Sequence, residues 1–196
     1  MMNNVGIFLF NDVELLDFAG PYEVFSVTAE LNDYGLFKVF SVSPDGGAVK
    51  TVNGLRVVPD YGFADHPPID ILVVPGGIGT RAAVKDGAVL AWVKRVAAGA
   101  KITMSVCSGA RLLGANGLLD GLAAVTHHSV VDSLREIAPA AVIEMDKRFT
   151  DNGRVMTSGG ISAGIDLALH IVRKLHGDAT VAKTIKYMEY GDWRSL

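Results

Sequence analysis

The sequence predicts an α/β fold, a single domain over residues 1–196 with a mostly parallel sheet covered by helices on both faces. Three observations carry this. Short, wholly apolar runs alternate along the chain with segments whose apolar residues recur at helical spacing. The runs are apolar at successive positions, as in strands buried on both faces. Glycine-rich corners follow several of them, at Pro75-Gly76-Gly77 and Ser158-Gly159-Gly160. A length of 196 residues suits one core of substantial size.

Val5 to Phe10 reads as the first buried strand, broken by Asn11-Asp12. Glu14 to about Leu31 carries helical periodicity, with Pro21 placed near a helix start. Phe37 to Val42 is a second strand, and Gly54 to Val58 belongs to a short hairpin. Pro67-Pro68 punctuates the chain before the strand Asp70 to Val74. Ala88 to Ala98 is an amphipathic helix closed by Gly99. The strand Lys101 to Val106 runs straight into a helix from Ser108 to Gly117. Ala123–Thr126, Ala141–Glu144 and Arg154–Thr157 are short strands, and Ile161–Leu175 and Ala179–Tyr190 are helices. There is no internal repeat, low-complexity stretch or linker. In open sheets of this kind, sites gather beyond the carboxyl ends of the strands.

Composition narrows the function classes. Apolar residues make up 49% and charged residues 20%, which suits a globular chain. The net charge is −3 with no basic block, so neither nucleic acid nor an anionic membrane surface is an expected partner. No apolar run approaches the roughly 20 residues of a bilayer span. The Met-Met-Asn-Asn start has no basic region, and the single cysteine fits a reducing compartment, so a cytoplasmic location is expected.

The chemistry centres on Cys107. It lies between a buried strand and a helix, within Ser105-Val-Cys107-Ser-Gly109. Small residues around a nucleophile at such a junction mark a tight elbow, where larger flanks would collide with strand and helix. A helix N-terminus beside the thiol is expected to lower its pKa. The bland alternative is a buried apolar cysteine. Asp17, in Leu15-Leu16-Asp17-Phe18, is costly to bury without a partner. Near Cys107 it would share a proton with the thiol, and the two would titrate together. Alternatively it caps its helix. Glu23 is placed on the surface. Gly76 and Gly77 could offer backbone N–H groups to developing negative charge, with that of Ser108 as a second donor. His127, Ile78 and Gly160 are candidate pocket residues, although for the histidine a satisfied structural role is the favoured reading.

Other motifs carry less. Gly77-Ile-Gly79-Thr-Arg-Ala82 has dinucleotide-fingerprint spacing, but it lies beyond the first strand–helix unit and no acidic residue ends the next strand. No His-x-x-x-His or Cys-x-x-Cys spacing exists, so no metal site is expected. Ser108, not a histidine, follows Cys107, so a Cys–His pair would need distant His127.

These segments resemble the DJ-1/PfpI superfamily along nearly the whole chain. The resemblance rests on Phe8 to Glu23, Val74-Pro-Gly-Gly77, Ser105-Val-Cys-Ser-Gly109, Val125-Thr-His127 and Thr157 to Asp166. The Asp-x-x-Gly-Pro start and the closing Gly-Gly-Ile-Ser-Ala-Gly-Ile-Asp segment are similar to a branch holding isocyanide (isonitrile) hydratases and the sensor domains of AraC-type regulators. The resemblance implies a flavodoxin-like three-layer sandwich, a homodimer, a small-molecule substrate and no cofactor. It implies Cys107 as nucleophile, Asp17 as its acid partner and Ser108 where the hydratases carry threonine. Tyr22-Glu23 stands where they carry His-Asp. The implied activity is isocyanide hydration. Hydrolase or glyoxalase-like chemistry at the same cysteine, and a sensing module without turnover, are the alternatives. The chain ends soon after its last helix, leaving no space for a helix-turn-helix domain.

Overall fold

A computed structural model describes residues 2–195. In chain order the elements are β1 (Asn3–Phe8), α1 (Leu15–Glu30), β2 (Phe37–Val42), β3 (Val49–Lys50), β4 (Arg56–Val57), β5 (Ile71–Val74), α2 (Thr80–Ala83), α3 (Gly87–Gly99) and β6 (Ile102–Val106). They continue with α4 (Ala110–Ala115), β7 (Ala123–Ala124), α5 (Val131–Ile137), β8 (Val142–Ile143), β9 (Phe149–Asp151), β10 (Val155–Ser158), α6 (Ala163–His176) and α7 (Asp178–Tyr187). The main sheet has six strands in the order β2-β1-β5-β6-β10-β9. All neighbours pair in parallel except β9, an antiparallel edge against β10.

Strand pleating sends Phe8 and Phe37 to opposite faces, because Phe37 pairs with Asn3 and Phe8 lies an odd number of residues further on. Phe8 packs on Trp92 of α3, their ring centroids 5.3 Å apart. Phe37 packs edge-on against Phe25 of α1 at 5.1 Å. Helices α1, α6 and α7 thus cover one face and α3, α4 and α5 the other. The buried runs of β1, β5 and β6 form the middle layer. The expected three-layer α/β sandwich is what the chain forms.

The differences from the sequence reading are local. β1 spans Asn3–Phe8, while Leu9 and Phe10 continue as buried non-strand chain toward the site. Pro21 lies well inside α1, not at its start. Its missing N–H leaves the Asp17 carbonyl without its helical partner, and its ring faces the close approach of Gly164 in α6. No helix starts directly after β6. A 3₁₀ turn, Cys107–Gly109, comes first, and α4 is only six residues long. The short strands at 123 and 142 pair with each other in a separate small sheet. Four-residue α2 occupies the dinucleotide-like motif, too short to act as a phosphate-binding helix. Among the described residues no helix is long and apolar enough to cross a membrane, and no group of three metal-ligating side chains comes together.

In sequence the chain runs from β1 outward to β2, then crosses back to β5. The order therefore switches direction between β1 and β5. The segments after β1, β5, β6 and β10 converge at the carboxyl edge beside this switch, where α/β sheets bind ligands.

Candidate functional site

Cys107 directly follows β6 and has φ of +55°, a left-handed conformation that crowds a β-carbon against the backbone. Two bonds hold it there. Its N–H donates to the Gly159 carbonyl at 3.1 Å, and its carbonyl accepts from Thr126 Oγ1 at 2.8 Å. Neighbours on both sides thus maintain a conformation costing about 1–3 kcal/mol.

Asp17, in the first turn of α1, is completely buried. It does not cap its helix. Instead Oδ2 accepts from the Gly76 N–H at 2.9 Å, across the sheet edge. The Cys107 thiol and the Ile161 N–H are polar neighbours of the carboxyl group. Yet Oδ1 has no partner in hydrogen-bonding geometry. Burial, chiefly, raises the Asp17 pKa to about 7, with the charge of Glu14 adding to it and the Gly76 N–H opposing it. Burial also raises Cys107, and the Asp17 charge pushes it further, to about 12. The N–H groups of Ser108 and Ile161 pull the thiol back only in part. The expected lowering by a helix N-terminus is overridden, because the helix behind Cys107 is short and begins after a 3₁₀ turn. The pair titrates as a unit: one proton leaves near neutrality, and the second is held until strongly alkaline pH.

The Gly76-Gly77 corner plays a different part from the expected one. Its donors are already engaged: Gly76 N–H holds Asp17, and Gly77 N–H donates to Ser108 Oγ at 2.9 Å. The donors turned toward the sulfur are those of Ser108 and Ile161. Ser108 Oγ also meets the Gly77 carbonyl at 3.1 Å and Thr80 Oγ1 at 3.2 Å, and Thr80 is itself held by Arg111 Nη1 at 3.2 Å. Only glycine fits at 76. A β-carbon there would lie 2.6 Å from the Ser108 backbone nitrogen and 2.7 Å from Asp17 Oδ2. The nitrogen is backbone, and the carboxyl group is buried and held by the Gly76 N–H. Gly76→Ala is therefore expected to cost about 2–3 kcal/mol and to separate acid from thiol. Thermal denaturation and the alkylation rate of Cys107 check the two effects.

A cleft of about 250 Å³ opens over the cysteine, with Glu14, Ile78, Arg111, His127 and Ile161 among its walls. His127 lines it but forms no hydrogen bond with Cys107. Its Nδ1 is 2.8 Å from Ser129 Oγ, and its ring lies tilted against that of His128, the centroids 4.1 Å apart. Burial, then the His128 ring, lower its pKa. Gly160 admits this ring, since a β-carbon at 160 would collide with it. Ile78 is exposed at the mouth. Glu23 lies on the surface, away from the cleft. Sequence reasoning missed Thr126, Thr80, Arg111 and Ile161. Only Ile161 left a usable signal, its place directly after the Gly159-Gly160 corner; in the structure it takes φ of +53°.

The profile of the DJ-1/PfpI family matches residues 3–174. The chain belongs to the DJ-1/PfpI family. Isonitrile hydratase of Pseudomonas putida is 34% identical to it over 97% of this chain and 79% of that one. An HTH-type transcriptional regulator of Pseudomonas aeruginosa is 28% identical over 89% of this chain, but only 47% of the regulator is covered. The crystal structure of a ThiJ/PfpI family protein from Pseudomonas syringae superposes with a TM-score of 0.87 at 29% identity, covering 97% of this chain and 76% of that one. The family thus includes an enzyme acting on a small molecule and regulators of transcription, both similar to this chain. A strained thiol with a buried acid that exchanges its proton near neutrality can form and release a covalent adduct without a histidine.

Proposed function

We propose that the protein is an isocyanide hydratase-like lyase with Cys107 as nucleophile and Asp17 as proton carrier. The observation that carries this is the buried Asp17 carboxyl beside the thiol, held on one oxygen by Gly76 and raised to about 7. The sulfur attacks the terminal carbon of R–N≡C while the thiol proton passes through Asp17 to that carbon, giving the thioimidate R–N=CH–S–Cys107. Water then adds across C=N. Its oxygen bonds to carbon, and its protons are divided between nitrogen and the new hydroxyl. Collapse of R–NH–CH(OH)–S–Cys107 breaks the C–S bond, returns the hydroxyl proton through Asp17 to sulfur and releases R–NH–CHO. Asp17 accepts and donates one proton in each half, as a pKa near working pH allows. The N–H groups of Ser108 and Ile161 steady the sulfur. We further read the protein as a homodimer, from its family likeness.

The test is incubation of the purified protein with p-nitrophenyl isocyanide, following formamide formation by absorbance. The expected result is catalytic turnover, with a transient Cys107 adduct visible by intact mass. Absence of both adduct and product overturns the reading. A second reading, ligand sensing without turnover, is favoured by the similar transcription regulators; saturable binding of a small molecule with no product would support it. Hydrolysis through a Cys–His pair lacks support, because His127 is bonded to Ser129 and not to Cys107.

A further inference from the structure

Arg111 is the least compensated charge around the site. It projects from the first turn of α4, just after the Cys107–Gly109 turn. It is only 7% exposed, yet it lines the cleft with Cys107. Buried guanidinium groups ordinarily face a carboxylate. Among the described residues Arg111 has none. Its Nε donates to Ser133 Oγ at 2.9 Å and its Nη1 to Thr80 Oγ1 at 3.2 Å, both neutral hydroxyls. Nη2 has no protein partner there, and it is not among the sealed, unpaired atoms of the interior, so it opens to solvent. A second arginine, Arg81, lines the same cleft and is close enough for its charge to act on Arg111. Two guanidinium groups side by side repel unless an anion lies between them. Glu14 lines the same cleft, but its charge acts on Asp17 and His127 and not on Arg111, and Asp17 is held by Gly76.

We propose that the cleft takes a small carboxylate-bearing ligand, its carboxylate on Arg111 and Arg81 and its reacting carbon over Cys107. This rests on the reading that Cys107 is the reacting group, and for a hydratase it names the substrate class, an isocyanide whose R group carries a carboxylate. An arginine fork receives a carboxylate through two parallel N–H bonds, which adds orientation to attraction.

The test compares alkylation of Cys107 by iodoacetate and by iodoacetamide, reagents alike in chemistry but differing by one negative charge. In either reaction the S–C bond forms, iodide leaves and the thiol proton passes to Asp17 or solvent. The native protein is expected to react with iodoacetate at least as fast as with iodoacetamide. In Arg111→Met the ratio of the two rates falls at least tenfold. In Lys85→Met, which removes the same charge from an exposed position beside the arginine pair, it stays within twofold. An unchanged ratio in Arg111→Met, or an equal fall in Lys85→Met, overturns the proposal. If Arg111→Met does not fold, exposed Arg81→Met is the second variant, with an expected fall of at least threefold. Protection of the native cysteine by propionate but not propionamide is the matching measurement. Propionate that raises the Tm without protecting Cys107 would place the anion on the far side of the arginine pair and overturn the proposal. None of these readouts needs isocyanide turnover, so failure of the hydratase reading and failure of this one are distinguishable.

Discussion

Cys107→Ala is expected to abolish turnover of p-nitrophenyl isocyanide, a loss of at least about 10³-fold, because the neighbouring Ser108 hydroxyl is already engaged with Gly77 and Thr80 and has no base to activate it. The fold survives the change, since the β-carbon and the bonds to Gly159 and Thr126 are retained. Cys107→Gly is the informative companion. Residue 107 takes φ of +55°, which glycine adopts without the β-carbon penalty. The glycine variant is therefore expected to be about 1 kcal/mol more stable than the alanine variant and equally inactive. Urea denaturation at one pH measures the first effect, and the formamide assay the second. A glycine variant no more stable than alanine would mean that the elbow is not strained. Turnover persisting in either variant would remove Cys107 from the reaction.

The parts of the site that could be read in advance are those with a local signature. The elbow is visible because Ser105, Ser108 and Gly109 must be small where strand, turn and helix crowd together. The mostly parallel sheet follows from alternation of buried runs and helical segments, since parallel strands need long crossovers. Asp17 stands out because a carboxyl group in an apolar stretch needs an explanation wherever it lies. Arg111, Thr80 and Thr126 carry no such mark. Each sits in an ordinary helical or strand-end context, and each acquires its role through a neighbour far away in sequence. Arg111 meets Ser133, and Thr126 meets the carbonyl of Cys107. The role of the Gly76-Gly77 corner is open in the sequence for a related reason. Glycine reports that space is tight, but not which atom fills it. Here the occupants are a carboxylate and a serine hydroxyl, so the corner serves to position the acid. The thiol pKa ran opposite to expectation because a short helix supplies little field, whereas burial beside Asp17 supplies a large opposing effect.

Asp17→Asn separates the catalytic and structural consequences of that acid, which move in opposite directions. The folded pKa of about 7 lies above the ordinary 3.8, so between these values the native state binds more protons than the unfolded chain. The favourable contribution of protonated Asp17 is complete below about pH 4 and is lost as pH rises through 7. Integrated over this window, the loss is on the order of 4 kcal/mol. Asparagine keeps an oxygen for the Gly76 N–H and carries no charge at any pH. The variant is therefore expected to gain stability relative to the native protein as pH rises from 4 to 8, with Tm curves that diverge toward alkaline pH. Turnover moves the other way. Removing the proton carrier lowers kcat by about 10²–10⁴. The native pH profile, rising through about 7 as the Asp17–Cys107 pair sheds its first proton, loses that inflection. What remains in the variant is the ionisation of a buried thiol freed from the Asp17 charge, expected below the native value of about 12 but still raised by burial. Thermal denaturation across this pH range, together with a pH–rate profile of the same two proteins, tests both halves. A variant that is destabilised at pH 8, or that keeps the neutral inflection, would show that Asp17 is not the group sharing its proton with Cys107.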